Sequence, residues 1–306
     1  MKPLNGLLLV NKVPGMTSHD VVAKTRRILG MKSIGHCGTL DPIAQGLMVL
    51  LVGEATKLSQ YILEGDKAYR VKIKLGVRTD TFDVTGAVIE EKPVQCSAEQ
   101  VLQVALAQQG EFDFPVPIFS AIKVDGQKLY DYARGNEAVK IPQKIMKFWD
   151  VKMIENNHPE WTFDLTCSKG TYIRTWVDEL GKKLGCGAVM AGLERSFSAP
   201  YFLTQAQNLE EIDTQIKAMV TPRAFVPMNH ALPMVKKVRV KGMDQKLLAN
   251  GQISHDLRIQ LIQVFNPDSD QIVQVVSPGT GDLLALIGLE EGKGFVIKRV
   301  IHNSPH

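Results

Sequence analysis

Long hydrophobic runs are missing from this 306-residue chain, it has only four cysteines, and its formal net charge is only +4. No stretch approaches the roughly 20 consecutive apolar residues needed to span a bilayer. The opening MKPLNGLLLVNKVPG has too short an apolar run for an export signal and no small-residue cleavage site, so a cytoplasmic protein without a membrane partner is expected. Cys37, Cys96, Cys167 and Cys186 form no C-x-x-C pair and have no histidine at ligand spacing, which argues against a disulfide framework and a zinc site. Repeats, heptads and low-complexity tracts are also lacking, which removes solenoids and long coiled coils from consideration. The small net charge conceals an uneven distribution. Residues 1–34 carry Lys2, Lys12, Lys24, Arg26, Arg27 and Lys32 against Asp20 alone, and residues 115–152 are a second basic zone. Such zones suit a surface that tracks phosphates, or they simply solvate exposed faces.

The most informative segment is Gly35-His36-Cys37-Gly38-Thr39-Leu40-Asp41-Pro42, which holds one carboxylate in a glycine-punctuated, nearly charge-free loop. Glycine permits a sharp turn or a close approach, and Pro42 fixes φ just after Asp41, so the carboxylate sits on a pre-set backbone suited to a nucleophile. A second reading stays open. Asp-Pro ahead of the apolar run Leu47 to Val52 also has the form of a helix N-cap with proline at the first helical position.

Along the chain, Gly6 to Asn11 reads as a buried strand ending in the turn Val13-Pro14-Gly15. Ser18-His19-Asp20 opens a helix whose apolar residues Val21, Val22, Ile28 and Leu29 share a face and which Gly30 closes. Tyr69 to Leu75 alternates as a half-buried strand, with Tyr69 on the side of Val71 and Ile73. Ser97 caps a helix running to about Gln109. Pro115, Pro117, Gly126 and Gly135 break up a basic, aromatic excursion containing one short helix. Trp161 to Ser168 is a strand, and Ile173 to Leu184 is a helix that places Arg174 in its first turn. Breakers Pro222, Pro227 and Pro233 mark a junction, giving domains at 1–230 and 231–306, the second small and β-rich. The class is α+β.

The blocks GLLLVNKVPGMTSHD, GHCGTLDPIAQGLMVLLVGEATKLSQY, KAYRVKIKLGVRTDTFDVTG, FSAIKVDGQKLYDYAR and CSKGTYIRTWVDELGKKLGCGA follow in an order that resembles the TruB family of tRNA pseudouridine synthases. The resemblance covers nearly all of residues 4–200. It implies a catalytic domain on a mixed β-sheet flanked by helices, a C-terminal PUA-like RNA-binding domain, no cofactor or metal, and a monomer acting on the T stem-loop of tRNA without guide RNA. The implied reaction converts the T-loop uridine numbered fifty-five to pseudouridine by breaking N1–C1′, rotating the flipped base and rejoining through C5.

Residue by residue, Asp41 matches the family's catalytic aspartate, Arg174 the arginine that pairs with it, and Tyr69 the active-site tyrosine, which can stack on the base or take the C5 proton. Leu193 matches an apolar pocket residue, although Glu194 stands where the family usually has arginine. His36 matches the residue that fills the space of the extruded base. Lys12 lies in Asn11-Lys12-Val13-Pro14-Gly15, with proline displaced by one from the family's N-K-P-x-G, and is carried over as structural support or a phosphate contact. Lys123, Lys128 and Arg134 fall in the block resembling the loop that closes over RNA, and Lys236, Lys237, Arg239 and Lys241 open the C-terminal domain.

Other classes fit less of the sequence. An RNA-binding module without catalysis would not need Asp41, Tyr69 and Arg174 together. A guide-RNA particle subunit would carry lysine-rich tails. A glycosidase pairing Asp41 with Asp80 or Asp83 would leave the basic zones unused.

Overall fold

The computed structural model describes residues 4–135 and 137–302. In chain order the elements are β1 (Gly6–Lys12), α1 (Ser18–Leu29), β2 (Ile34–Cys37), β3 (Gln45–Val52), α2 (Ser59–Leu63), β4 (Lys67–Leu75), β5 (Val77–Thr79), β6 (Val88–Glu91), α3 (Ala98–Leu106) and β7 (Gly110–Pro115). There follow β8 (Lys123–Val124), β9 (Gln127–Lys128), α4 (Leu129–Gly135), β10 (Gln143–Asn157), β11 (Glu160–Cys167), α5 (Ile173–Leu184), β12 (Ala188–Ser198), β13 (Tyr201–Phe202), α6 (Leu209–Lys217) and β14 (Phe225–Pro227). The last part holds β15 (Lys237–Arg239), α7 (Met243–Ala249), α8 (His255–Val264), β16 (Val273–Val276), β17 (Leu283–Glu290) and β18 (Gly294–Val300).

One large sheet runs β14-β1-β3-β12-β4-β11-β10-β7, with β2 also on β3 and β13 on β12. Its strands pair antiparallel except for β12 beside β3, so the sheet is mixed. β4 keeps the alternation read from its sequence: Tyr69, Val71, Ile73 and Leu75 are buried, while Arg70, Lys72 and Lys74 face solvent. Those four share a core with Trp176, Val177 and Leu180 of α5. The fully buried Trp176 ring packs edge-on to Phe163 at 5.8 Å between centroids.

The helix reading of Asp41-Pro42 is corrected. Residues 45–52 form β3, buried from Gly46 onward and paired with both β1 and β2. A short apolar run buried on both faces has no period to separate strand from helix, and burial between two strands decides it. The excursion after Pro115 also holds more order than expected, because β10 is a long strand between β7 and β11. Its alternation is hidden by register shifts near Trp149 and Met153 and by exposed Ile145 and Ile154.

C-terminal to Pro233, the four-stranded sheet β15-β16-β17-β18 is accompanied by two helices that strand signals did not reveal. α8 is capped by Ser254, whose side chain accepts from Leu257 N at 3.0 Å. It buries Leu257 and Leu261 but leaves Ile259 and Ile262 exposed, which blurs its apolar stripe. One apolar cluster joins the two parts: Ile272, Val276, Leu283, Leu286 and Ile301 pack with Leu51, Ala55 and Leu58.

Candidate active site

The Asp41 loop connects β2 to β3 and is held from below by the start of the chain. Thr17 caps α1, its Oγ1 accepting from Asp20 N at 3.1 Å, which leaves the buried Ser18 free to act elsewhere. The Ser18 hydroxyl donates to Leu40 O at 3.0 Å and accepts from Leu40 N at 2.9 Å. Gly15 N donates to Pro42 O at 2.8 Å, and Ala44 N closes a turn on Asp41 O at 3.0 Å. Lys12 is only 1% exposed. Its ammonium donates to Val13 O at 3.2 Å, to Pro42 O at 3.3 Å and to Ala44 O. Its three protons are therefore spent on carbonyls, and a phosphate has no access to it. Burial lowers its pKa, Asp41 opposes the fall and Arg195 adds to it.

Above this base the Asp41 carboxylate is about one-third exposed. Arg174 Nε lies 3.0 Å from Oδ2, and Nη2 donates to Oδ1 at 3.5 Å. The same guanidinium donates from Nη1 to Thr81 O at 3.1 Å and from Nη2 to Phe119 O at 3.0 Å. A cation in the first turn of α5 opposes the helix dipole, and these directed partners are what hold it there. Together they present one carboxylate in a fixed orientation, open on one side.

Tyr69 is buried on β4, and Asp41 and Arg195 lie within electrostatic reach of its hydroxyl. Burial pushes the phenol pKa up, Arg195 opposes the rise as a nearby cation, and Asp41 adds to it. Leu193 is half-buried opposite Val71, on the β12 face shared with Arg195 and directed toward the Tyr69 side of the sheet. Glu194 points to the other face, where its carboxylate accepts from Gln45 Nε2 at 2.9 Å, so the departure at this position leaves the pocket untouched. His36 pairs with Leu50 in the sheet, and its ring meets that of exposed His19 edge-on at 5.8 Å. Burial chiefly, with His19 and Arg195 adding, lowers its pKa, and its buried Nδ1 has no protein partner. A neutral ring free of hydrogen bonds can move or stack.

Lys123 and Lys128 pair across the β8–β9 hairpin, which turns at Asp125-Gly126, both at positive φ. Lys128 donates to the Tyr130 hydroxyl at 2.9 Å, and the Arg134 guanidinium lies 5.3 Å from the Tyr130 ring centroid. The hairpin follows Phe119, whose carbonyl is fixed by Arg174. In the C-terminal part Lys236 is tied to Asp270 at 2.8 Å and Lys237 to the Asn229 carbonyl, while Arg239 and Lys241 have no ion-pair partner among the described residues. Asp80 and Asp83 serve their own turn: Asp83 Oδ1 accepts from Thr81 Oγ1 and Thr85 N, both at 2.9 Å, and Asp80 Oδ1 accepts from Ala87 N at 2.8 Å. Neither is available to partner Asp41 as a second catalytic carboxylate.

Two residues at the site were not anticipated. Tyr172 occupies the N-cap position of α5 without a side-chain capping bond, within electrostatic reach of both Arg174 and Asp41. Arg195 is buried between β3 and β4. Its signal in the sequence is weak: parity along β12 places it on the side of Leu193, but an arginine between glutamate and serine reads as solvent-facing. The thiols of Cys37 and Cys167 are pushed up to about 12 by burial and remain protonated.

Residues 26–173 match the TruB family pseudouridylate synthase (N terminal domain). A tRNA pseudouridine synthase B of Bdellovibrio bacteriovorus is 58% identical over 301 residues, covering 98% of each chain. One of Alkaliphilus oremlandii is 38% identical over 248 residues, 81% of this chain and 82% of the relative. Among solved structures, a chain of an H/ACA RNP bound to a substrate RNA containing 2′-deoxyuridine superposes with a TM-score of 0.68 at 21% identity, over 98% of this chain and 86% of that one. A chain of a Cbf5-Nop10-Gar1 complex does so with a TM-score of 0.67 at 22% identity, over 97% and 84%. At that identity the likeness concerns the fold. Sequence identity over almost the whole length carries the further conclusion, that this chain belongs to the TruB family of tRNA pseudouridine synthases.

Proposed function

We propose that the protein isomerises the T-loop uridine numbered fifty-five of tRNA to pseudouridine, with Asp41 as the catalytic carboxylate. The observation that carries this reading is the Asp41–Arg174 pair: a guanidinium fork, itself pinned by two backbone carbonyls, holds and aims a carboxylate on a loop with one open side. Asp41 acts at the sugar, as a nucleophile at C1′ or in removing the C2′ proton. The N1–C1′ bond breaks, the base rotates, C5 bonds to C1′, and the C5 proton departs while N1 regains one, so the reaction is balanced without a co-reactant. Tyr69 stacks on the flipped base and its hydroxyl serves the C5 proton transfer. Leu193 packs against the base, and His36 enters the space the base vacates.

Lys123, Lys128 and Arg134 grip the T-arm backbone from the hairpin that closes over it, and Tyr130, already flanked by Lys128 and Arg134, offers a stacking surface. Lys12 contributes by supporting the loop. The part from residue 231 is a PUA-like module that contacts RNA through Arg239 and Lys241. The enzyme works as a monomer, in the cytoplasm, on free tRNA and without guide RNA. Replacement of Asp41 by Asn tests this on a T-stem-loop transcript labelled with tritium at C5. Tritium release should vanish while binding persists; release at the normal rate would refute the proposal.

A further inference from the structure

Arg195 is 1% exposed, and among the described residues no carboxylate lies within ion-pair distance of it. Removing a guanidinium from water without a counter-charge costs several kcal/mol, so its partners matter. Nε donates to Leu47 O at 2.7 Å, and Nη2 donates to Gly38 O at 3.2 Å. These two carbonyls stand on either side of Asp41, one entering the loop and one in the strand leaving it. The Tyr69 side chain lies beside Arg195, its hydroxyl within electrostatic reach of the guanidinium. Strand register supports this arrangement: Arg195 pairs with Tyr69 on β4 and with Gly46 on β3, and directly paired residues project their side chains to the same face.

Two glycines, one on either side of Asp41, are explained by the same residue. Gly38 has φ +92°, and a Cβ there would stand 3.3 Å from Arg195 Nη1. Gly46 has φ +98°, and a Cβ there would stand 2.5 Å from Arg195 O. Both clear space for one arginine, the first for its head group and the second for its backbone.

We infer that Arg195 is the positioning residue of this site: one guanidinium ties both ends of the Asp41 loop together beside the Tyr69 hydroxyl, and so sets the carboxylate relative to the phenol. The inference rests on the roles proposed for Asp41 and Tyr69. Two directed donors are needed at fixed angles, which a lysine ammonium on a flexible stem does not reproduce even though it keeps the charge.

The test is a double-mutant cycle of Arg195→Lys and Tyr69→Phe, read by kcat and KM on tRNA transcript, with the melting transition recorded for each variant. Arg195→Lys should lower kcat by about 10- to 100-fold, the scale of small misplacements in an active site, and leave KM within about twofold. In the Tyr69→Phe background the same change should cost less than about threefold, because a large part of its effect passes through the missing hydroxyl. Arg195→Gln, which keeps one donor for Leu47 O, replaces the lysine variant if that one does not fold. A normal kcat, or an equal fall in both backgrounds, overturns the inference. Failure of both variants to fold also overturns it, since Arg195 would then brace the whole sheet. Asp41→Asn in the same assay keeps the two readings separate: turnover retained there refutes the reading of the site, whereas loss there beside a normal Arg195→Lys refutes only the positioning role.

Discussion

At the residue scale the site depends on cations whose donors are all directed. Arg174 directs Nε and Nη2 to Asp41 and further bonds to Thr81 O and Phe119 O, so charge alone does not replace it. Arg174→Lys is expected to slow pseudouridine formation by about tenfold or more, a loss of at least about 1.4 kcal/mol in transition-state stabilisation, with the slowing seen in single-turnover rates. Undiminished rates would mean that orientation of the carboxylate is not limiting. Local pattern in the sequence set Asp41 in a glycine-proline loop, Tyr69 on an alternating strand and Arg174 at a helix start, whereas the roles expected of them came from the family resemblance. Arg195 was not legible, because its burial is a tertiary fact, created by β12 lying between β3 and β4. Lys12 was half legible. The displaced Pro14 flagged its turn, yet only the fold turns that lysine inward against the Pro42 and Ala44 carbonyls.

At the element scale, α5 carries Arg174 and has to sit at one depth against the sheet. Gly181 secures that depth, since a Cβ there would meet Ala188 N at 2.1 Å and Gly187 C at 2.4 Å, both backbone atoms. Glycine to alanine inside a helix ordinarily stabilises by about 0.5–1 kcal/mol. Gly181→Ala should instead destabilise by about 1–3 kcal/mol, the range for overpacking a tight contact, measured by urea denaturation; a gain in stability would show that α5 can lift off without penalty. Among the elements read from sequence, β4 keeps an undisturbed alternation and α1, α3 and α5 are bounded by helix stop signals or caps, while β1 is a short apolar run closed by a glycine-proline turn. Thr17 and Ser97 each form a full capping box, and Gly30 and Gly185 close their helices in the left-handed region. β3 deceived because burial on both faces erases the period, and β10 because its bulges break the period. α8 was overlooked because Ile259 and Ile262 sit on its exposed side.

At the scale of the whole molecule, the large sheet and the C-terminal sheet share a core rather than hanging on a linker. Lys57 Nζ donates to Val300 O at 3.0 Å, and His302 N donates to Glu54 Oε2 at 3.0 Å across the same seam. A chain ending at residue 230 would uncover the Leu51, Ala55 and Leu58 side of that core. It should lose at least about 3 kcal/mol of stability, seen as a lowered melting transition and increased binding of a hydrophobic dye; an unchanged transition would show that the seam contributes little. Pro222, Pro227 and Pro233 suggested a junction in the sequence, whereas the apolar seam has no local signal, since it joins residues more than 200 positions apart in the chain. The central claim concerns what this assembly does to RNA. The direct measurement is a nucleotide-resolution map of pseudouridine in unmodified tRNA transcript after incubation with the protein or with Asp41→Asn. The account predicts one modified position, the T-loop uridine numbered fifty-five, with the unaltered protein and none with the variant; modification at another position, or at that position with Asn at residue 41, would contradict it.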